Sequence, residues 1–160
     1  MAISPADVKK LREETSAGVM DCKKALEEAQ GDYKKALEIV KQKGMARAEK
    51  KSDRETSEGY IASYVHSNNK SAALVEINCE TDYVARNSDF QDMAKNIAMQ
   101  VVAMKPANVQ ELLEQDFIKN PSETIEEFVK TVSGKIGEKF VVARFVRYEV
   151  GESQTKTASE

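Results

Sequence analysis

Apolar positions recur at helical spacing through the first forty residues, change to strand alternation near residue 59, and then switch period several times before the end. Ser4, Pro5 and Asp7 read as a helix start: a capping hydroxyl, a proline at the first helical position and an acid near the positive end. Val8 and Leu11 give that helix its buried stripe. A turn through Thr15, Ser16, Ala17 and Gly18 leads to a second helix that Asp21 helps begin, with Ala25, Leu26 and Ala29 inward. Gly31 stops it and Asp32 caps a third, whose stripe is Tyr33, Ala36, Leu37 and Val40 and whose end is placed at Gly44. Residues 45–58 are dense in both charges and lack a sustained apolar stripe, which predicts a solvated helix extension or a linker, with the domain boundary there.

From Gly59 the pattern predicts an antiparallel hairpin: GYIASYVHS, a turn at Asn68-Asn69, then SAALVEINCE. A short turn follows, and then a helix from about Ser88 to Met104, capped by Asn87 or Ser88 and stopped by Lys105-Pro106. Phe90, Met93, Ala94, Ile97, Ala98, Val101 and Val102 repeat on its inner face. A helical turn is expected around Val109 to Leu113, and a break at Asn120-Pro121. Ser122, with Glu123 and Glu126, is read as starting a last helix with Ile125, Phe128, Val129, Val132 and Ile136 inward, ending at Gly134 or Gly137. The closing strand, EKFVVARFVRYEV, is expected to put Phe140, Val142, Val146, Tyr148 and Val150 on one side. The predicted class is α+β. A three-helix bundle (1–44) is followed by a core (59–151) of about three antiparallel strands packed with helices, and then by a polar, frayed tail (152–160).

Composition narrows the function classes. The chain has 160 residues, 41% hydrophobic and 32% charged, long enough for one good core or two small ones. A net charge of -3 argues against a general nucleic-acid binder, which needs a basic field. The interleaved acids around Arg47, Lys50, Lys51 and Arg54 favour a solvated face there over an RNA contact. No apolar run approaches the ~20 residues of a membrane span, so no membrane partner is expected. The N-terminus carries no visible targeting segment, which fits a bacterial cytoplasm, though a processed organellar protein would look the same. Two cysteines, Cys22 and Cys79, and one histidine, His66, give no metal-ligand spacing, so no metal or other cofactor is expected. Reduced, partly buried thiols are the default, and His66 reads as a strand-end polar residue.

The stretch Glu76–Asn87, EINCETDYVARN, carries the candidate chemistry. Glu80, Thr81, Asp82, Tyr83 and Arg86 fall on the turn between a strand and a helix, where rigid scaffolds present functional groups. The residues alone leave two readings open. Asp82 and Tyr83 are either a presented surface, or a turn-capping acid and an ordinary core aromatic. Val19 and Met20, beside Gly18, are likewise either core or an exposed apolar patch.

Three separated segments resemble one family. CETDYVARN is similar to the signature of elongation factor Ts, the guanine-nucleotide exchange factor of the GTPase elongation factor Tu, with Tyr83 in place of the usual Phe. LREETSAGVMDCKKAL resembles the same family's N-terminal signature, with Ser16 replacing a glycine. KIGEKFVVARFVRYEVG resembles its closing segment, with Lys139 and Ala143 departing from the usual Asn and Arg. The three-helix pattern with a glycine turn is also similar to a ubiquitin-associated domain.

The resemblance implies a chain that binds elongation factor Tu and promotes GDP release. Tyr83 would be a wedge near the partner's magnesium site, and Asp82 would disturb the network holding Mg²⁺. Thr81 and Val84 would shape the turn, while Leu11, Arg12, Val19 and Met20 would dock the N-terminal module. Longer members carry a second core half and a coiled coil, for which this chain has no room. A second copy of the chain is therefore a candidate partner, through the apolar edge around Phe140 to Val146. Two rivals stand beside this reading: a binding adaptor without exchange activity, and an enzyme using Cys79 or Cys22 as nucleophile, which needs a base within reach.

Overall fold

The computed structural model describes residues 3–15 and 17–152. Ser16 and the tail from 153, on which two of the expectations above bear, lie outside them. Three helices open the chain: α1 (Pro5–Thr15), α2 (Val19–Glu28) and α3 (Tyr33–Glu49). Leu11, Cys22, Ala25, Leu26, Ala36 and Val40 make their core. Asp32 caps α3, its carboxylate accepting from the N–H groups of Lys34 and Lys35. The Tyr33 hydroxyl donates to Glu14 at 2.6 Å and ties α3 to α1.

The third helix does not stop at Gly44. It continues for five more residues, so the first part of the charged segment is helix and only Lys50–Arg54 is turn. The reason lies in packing. Helix α7 (Ile125–Ile136) crosses α3 where Gly134 lies against the Gly44 carbonyl, so close that a Cβ on Gly134 would sit 2.3 Å from that oxygen. Glycine is needed there for the backbones to approach. The N-terminal module therefore sits directly on the core, and Lys130 reaches Glu49 across the crossing at 3.5 Å.

The core is an antiparallel sheet in the order β1 (Glu58–Val65), β2 (Ser71–Cys79), β5 (Val141–Glu149). Helix α5 (Ser88–Met104) covers its inner face and buries all seven residues of the expected stripe. Asn87 is its cap, accepting from Asp89 and Phe90. Helix α6 (Val109–Glu114) follows. A two-stranded ribbon, β3 (Asp116–Phe117) and β4 (Asn120–Thr124), was not anticipated, and it occupies the region read as the start of the last helix. The start moves because Thr124, not Ser122, is the cap: Thr124 and Glu127 form a reciprocal capping box. The helix runs through Gly134 and ends where Gly137 takes a left-handed φ of 98°.

The closing strand differs from the expected simple alternation. Glu76 pairs with Arg144 and Ile77 with Val142, leaving Ala143 as an extra residue. That bulge reverses the facing of everything after it. Phe140 and Val142 are buried, and Phe145 then packs inward, while Val146, Tyr148 and Val150 face outward. They join Ile61, Val65 and Leu74 on the other face of the sheet, which also carries the Glu76–Arg144 ion pair and which no other described element covers.

Candidate functional site

Strand β2 ends at Cys79, and one helical turn, α4 (Asp82–Ala85), leads to Asn87 and the start of α5. Thr81 caps α4: its backbone is extended and its hydroxyl oxygen accepts from the Val84 N–H at 3.3 Å. This short turn splits its residues by burial. Val84 and Ala85 drop into the core and anchor it, while Asp82, Tyr83 and Arg86 stay outside. Tyr83 is 82% exposed, the largest exposure among the described large hydrophobic residues. Tyr83 is thus not a core aromatic. An exposed ring on a rigid, anchored turn is a ready contact for a partner, because aromatic anchors dominate interface energetics. Asp82 pairs with Arg86 at 2.7 Å, four residues on, and both side chains remain open to water. So placed, the pair contributes little to stability and leaves both charges available.

A second layer of carboxylates fixes the turn. Glu138, from the loop before β5, accepts the N–H groups of Glu80 and Thr81 at 3.1 Å each with one oxygen. Its other oxygen accepts the Thr81 hydroxyl at 2.6 Å. In return, the Glu80 carboxylate accepts the Lys139 N–H at 2.7 Å and Arg54 at 3.2 Å. Burial alone would raise the Glu80 carboxyl, but the Lys139 N–H and the Arg54 guanidinium hold it below the usual range. The Lys139 ammonium reaches the carbonyls of Ser52 and Arg54 at 2.5 and 2.9 Å. Residues 50–54, read as solvated, thus brace the turn from the end of α3. Sequence reasoning missed this lattice. Its one signal was the Gly-Glu pair at 137–138, inside a segment already singled out.

The N-terminal candidates divide as well. Leu11 is fully buried between the helices, so it supports the module from within and offers no contact surface. Val19 and Met20 are 48% and 61% exposed. Arg12 and Val19 line one apolar groove of about 410 Å³ between α1 and α2, with Ile3, Pro5 and Val8. Arg12 and Val19 therefore belong to one surface, with Met20 beside it in sequence. The turn at Asp82–Tyr83 is a second, separate element on the core.

Among the described residues, both cysteines are buried, and Cys79 has no histidine beside it. Cys79 is buried, donates to the Thr81 carbonyl at 3.3 Å, and is pushed up to about 11, chiefly by burial and then by the nearby Glu138 carboxylate. His66 sits at the opposite end of the hairpin from Cys79, eight residues of strand away or roughly 25 Å. Its ring bonds the Tyr64 hydroxyl. No thiol–imidazole pair can form between them. Among the described residues, no group of three or more His, Cys, Asp and Glu could hold a metal ion. None of the described helices is long and apolar enough to cross a membrane.

Comparison with known proteins supplies the remaining context. The family model "Elongation factor TS" matches residues 2–111 and 80–158. The chain is 41% identical to elongation factor Ts of Desulforamulus reducens, over 96% of this chain and 92% of the relative. It is 42% identical to that of Fervidobacterium nodosum, over 95% of this chain and all of the relative. It is 41% identical to the chloroplastic elongation factor Ts of Rhodomonas salina, over 96% and 91% respectively.

Proposed function

The chain belongs to the elongation factor Ts family of translation elongation factors, and from that membership we propose that it is a guanine-nucleotide exchange factor. It binds elongation factor Tu in its GDP-bound and nucleotide-free states and promotes GDP release, with no covalent chemistry of its own. The observation that carries this reading is the exposed Tyr83 ring beside Asp82 on a turn that is otherwise locked into the core.

A GTPase holds its nucleotide through backbone amides that cradle the phosphates and a Mg²⁺ that bridges them. A factor that binds better to a form lacking those contacts must weaken the nucleotide by the same ratio. Tyr83 acts as the wedge. Asp82, once free of Arg86, brings a negative charge against the groups that hold Mg²⁺. Thr81 and Val84 give the turn its shape, one by capping α4 and one by anchoring it. Arg12, Val19 and Met20 dock the N-terminal module on the partner's GTP-binding domain, and Leu11 holds that surface in shape. A 10⁴-fold weakening of nucleotide is about 5.5 kcal/mol, within the range of a few buried aromatic and charged contacts.

The test is the rate at which fluorescent GDP leaves elongation factor Tu after excess GDP is added. The chain should accelerate release, and Asp82→Ala and Tyr83→Ala should each remove most of that effect while circular dichroism stays unchanged. Acceleration that persists in both variants rules out the wedge. Binding without any acceleration would leave the adaptor reading.

A second copy of the chain is the other proposed partner, through the open face of the sheet rather than its edge. Ile61, Val65, Leu74, Val146 and Tyr148 are exposed together there, an apolar patch that no other described residues cover, of the kind that marks association sites. Light scattering should give twice the monomer mass, and Leu74→Glu with Val146→Glu should halve it; a wild-type monomer at micromolar concentration rejects the pairing. The proposed compartment is the bacterial cytoplasm or, by analogy with the chloroplastic relative, an organelle.

A further inference from the structure

Glu138 lies 57 residues from the turn that it holds. Its carboxylate is spent on three donors, the N–H groups of Glu80 and Thr81 and the Thr81 hydroxyl. These bonds come at the point where β2 has ended and the sheet no longer satisfies the backbone. The Thr81 hydroxyl is used twice, donating to Glu138 and accepting from Val84. Orientation of the Thr81 cap, and through it of α4, therefore depends on one distant side chain. The loop carrying Glu138 is itself fixed: Ser133 donates to the Glu138 carbonyl at 2.5 Å, and Glu80 accepts the N–H of Lys139. The Cys79 thiol closes the inner side by donating to the Thr81 carbonyl.

We propose that Glu138 is a positioning residue for nucleotide exchange: through Thr81 it holds the Asp82–Tyr83 turn in its presented form before the partner arrives. The inference rests on the exchange reading above. Without Glu138 the turn keeps its anchors, Val84 and Ala85, but loses the bonds that set the angle of its first residue. A loosened turn must be ordered when it inserts, and that cost falls on the inserted state rather than on docking through Arg12, Val19 and Met20. Lys139 belongs to the same clamp through its backbone N–H, which any residue but proline supplies. Its departure from the family's usual Asn therefore leaves that bond in place.

The experiment uses the full chain with elongation factor Tu carrying fluorescent GDP. Glu138→Ala should slow stimulated release by about tenfold or more, with the dissociation constant for the GDP-bound partner changed by less than about threefold. Glu138→Gln, which keeps an acceptor for the backbone donors, should recover an intermediate rate. In a Tyr83→Ala background, Glu138→Ala should add little, because the group it positions is gone. Wild-type release by Glu138→Ala overturns the proposal, as does a full additional loss in the Tyr83→Ala background. An equal loss of docking and release overturns it too, since that is what a general structural role gives. If Glu138→Ala fails to fold, the Gln variant carries the same comparison. Failure of the exchange reading itself would look different: the wild-type chain would then bind elongation factor Tu without accelerating GDP release at all.

Discussion

Two glycines that touch at one helix crossing should respond to alanine in opposite directions. A Cβ built on Gly134 lies 2.3 Å from the Gly44 oxygen, 2.8 Å from its carbonyl carbon and 2.9 Å from its Cα. All three are backbone atoms, so no side chain can swing aside. The shortfall from ordinary contact is roughly 1 Å, and α3 and α7 must part by that much or tilt. Overpacking of this kind costs about 1–3 kcal/mol, and a gap of 0.5–1 Å elsewhere along the crossing forfeits a quarter to a half of each dispersion contact. Replacing a helical glycine by alanine returns up to about 1 kcal/mol. Gly134→Ala should therefore lose about 1–2 kcal/mol net. At Gly44 a Cβ meets nothing within 4 Å, because it points away from α7. Gly44→Ala should keep the full propensity gain and stabilise by about 1 kcal/mol. Urea unfolding followed by circular dichroism measures both, and the two midpoints should fall on opposite sides of the wild type. A Gly134→Ala variant as stable as Gly44→Ala would refute the direct docking of the N-terminal module on the core.

Other consequences are simpler to check. Tyr83→Phe removes a hydroxyl whose burial costs about 1–3 kcal/mol if left unpaired, so release should be unchanged or up to about tenfold faster; a tenfold loss would mean that the hydroxyl makes a bond of its own in the complex. Cys79, pushed up to about 11 by burial, should resist iodoacetamide at pH 8 in the folded chain and react only on unfolding; rapid native labelling at Cys79 contradicts its placement. Glu149 is held at about 2 by its bonds to Lys105 and Arg147, below its ordinary 4.5. A depressed carboxyl stabilises the fold above its unfolded value, and that contribution fades as pH falls from 4.5 towards 2. The thermal midpoint of Glu149→Gln should accordingly fall less steeply over that window than the wild type's, and parallel curves would count against the Lys105–Glu149–Arg147 network.

What the sequence shows of this fold follows from how local each signal is. Helix α5 was legible to the residue because seven apolar positions share one face and Asn87 caps it within the same stretch. The hairpin was equally plain, its register set by alternation and by Asn69 in the left-handed turn position. Ala143 was not: a single-residue bulge leaves composition untouched yet reverses the facing of Val146 and Tyr148. The ribbon around Pro121 was missed because its strands are two and five residues long and carry little apolar signal. At the site, Asp82 and Tyr83 were visible through motif resemblance, and their exposure comes from the α4 turn that buries their neighbours. Leu11 was misjudged as a contact because a helical stripe does not say which apolar residue ends at the surface. Glu138 was invisible in its role because its partners, Glu80 and Thr81, are nearly sixty residues away and carry no pattern that points back to it.

Whether the Asp82–Tyr83 turn acts on nucleotide rather than on docking is isolated by one thermodynamic ratio. The affinity of the chain should be measured by calorimetry for elongation factor Tu in its nucleotide-free and GDP-bound forms, with Mg²⁺ present. Linkage makes that ratio equal to the factor by which the chain weakens GDP. The wild-type chain should bind the nucleotide-free form far more tightly. In the Asp82→Ala, Tyr83→Ala double variant the ratio should collapse towards one, mostly through lost affinity for the empty form, while affinity for the GDP-bound form is largely kept. A ratio unchanged in the double variant would mean that the turn does not act on nucleotide and is a docking contact only.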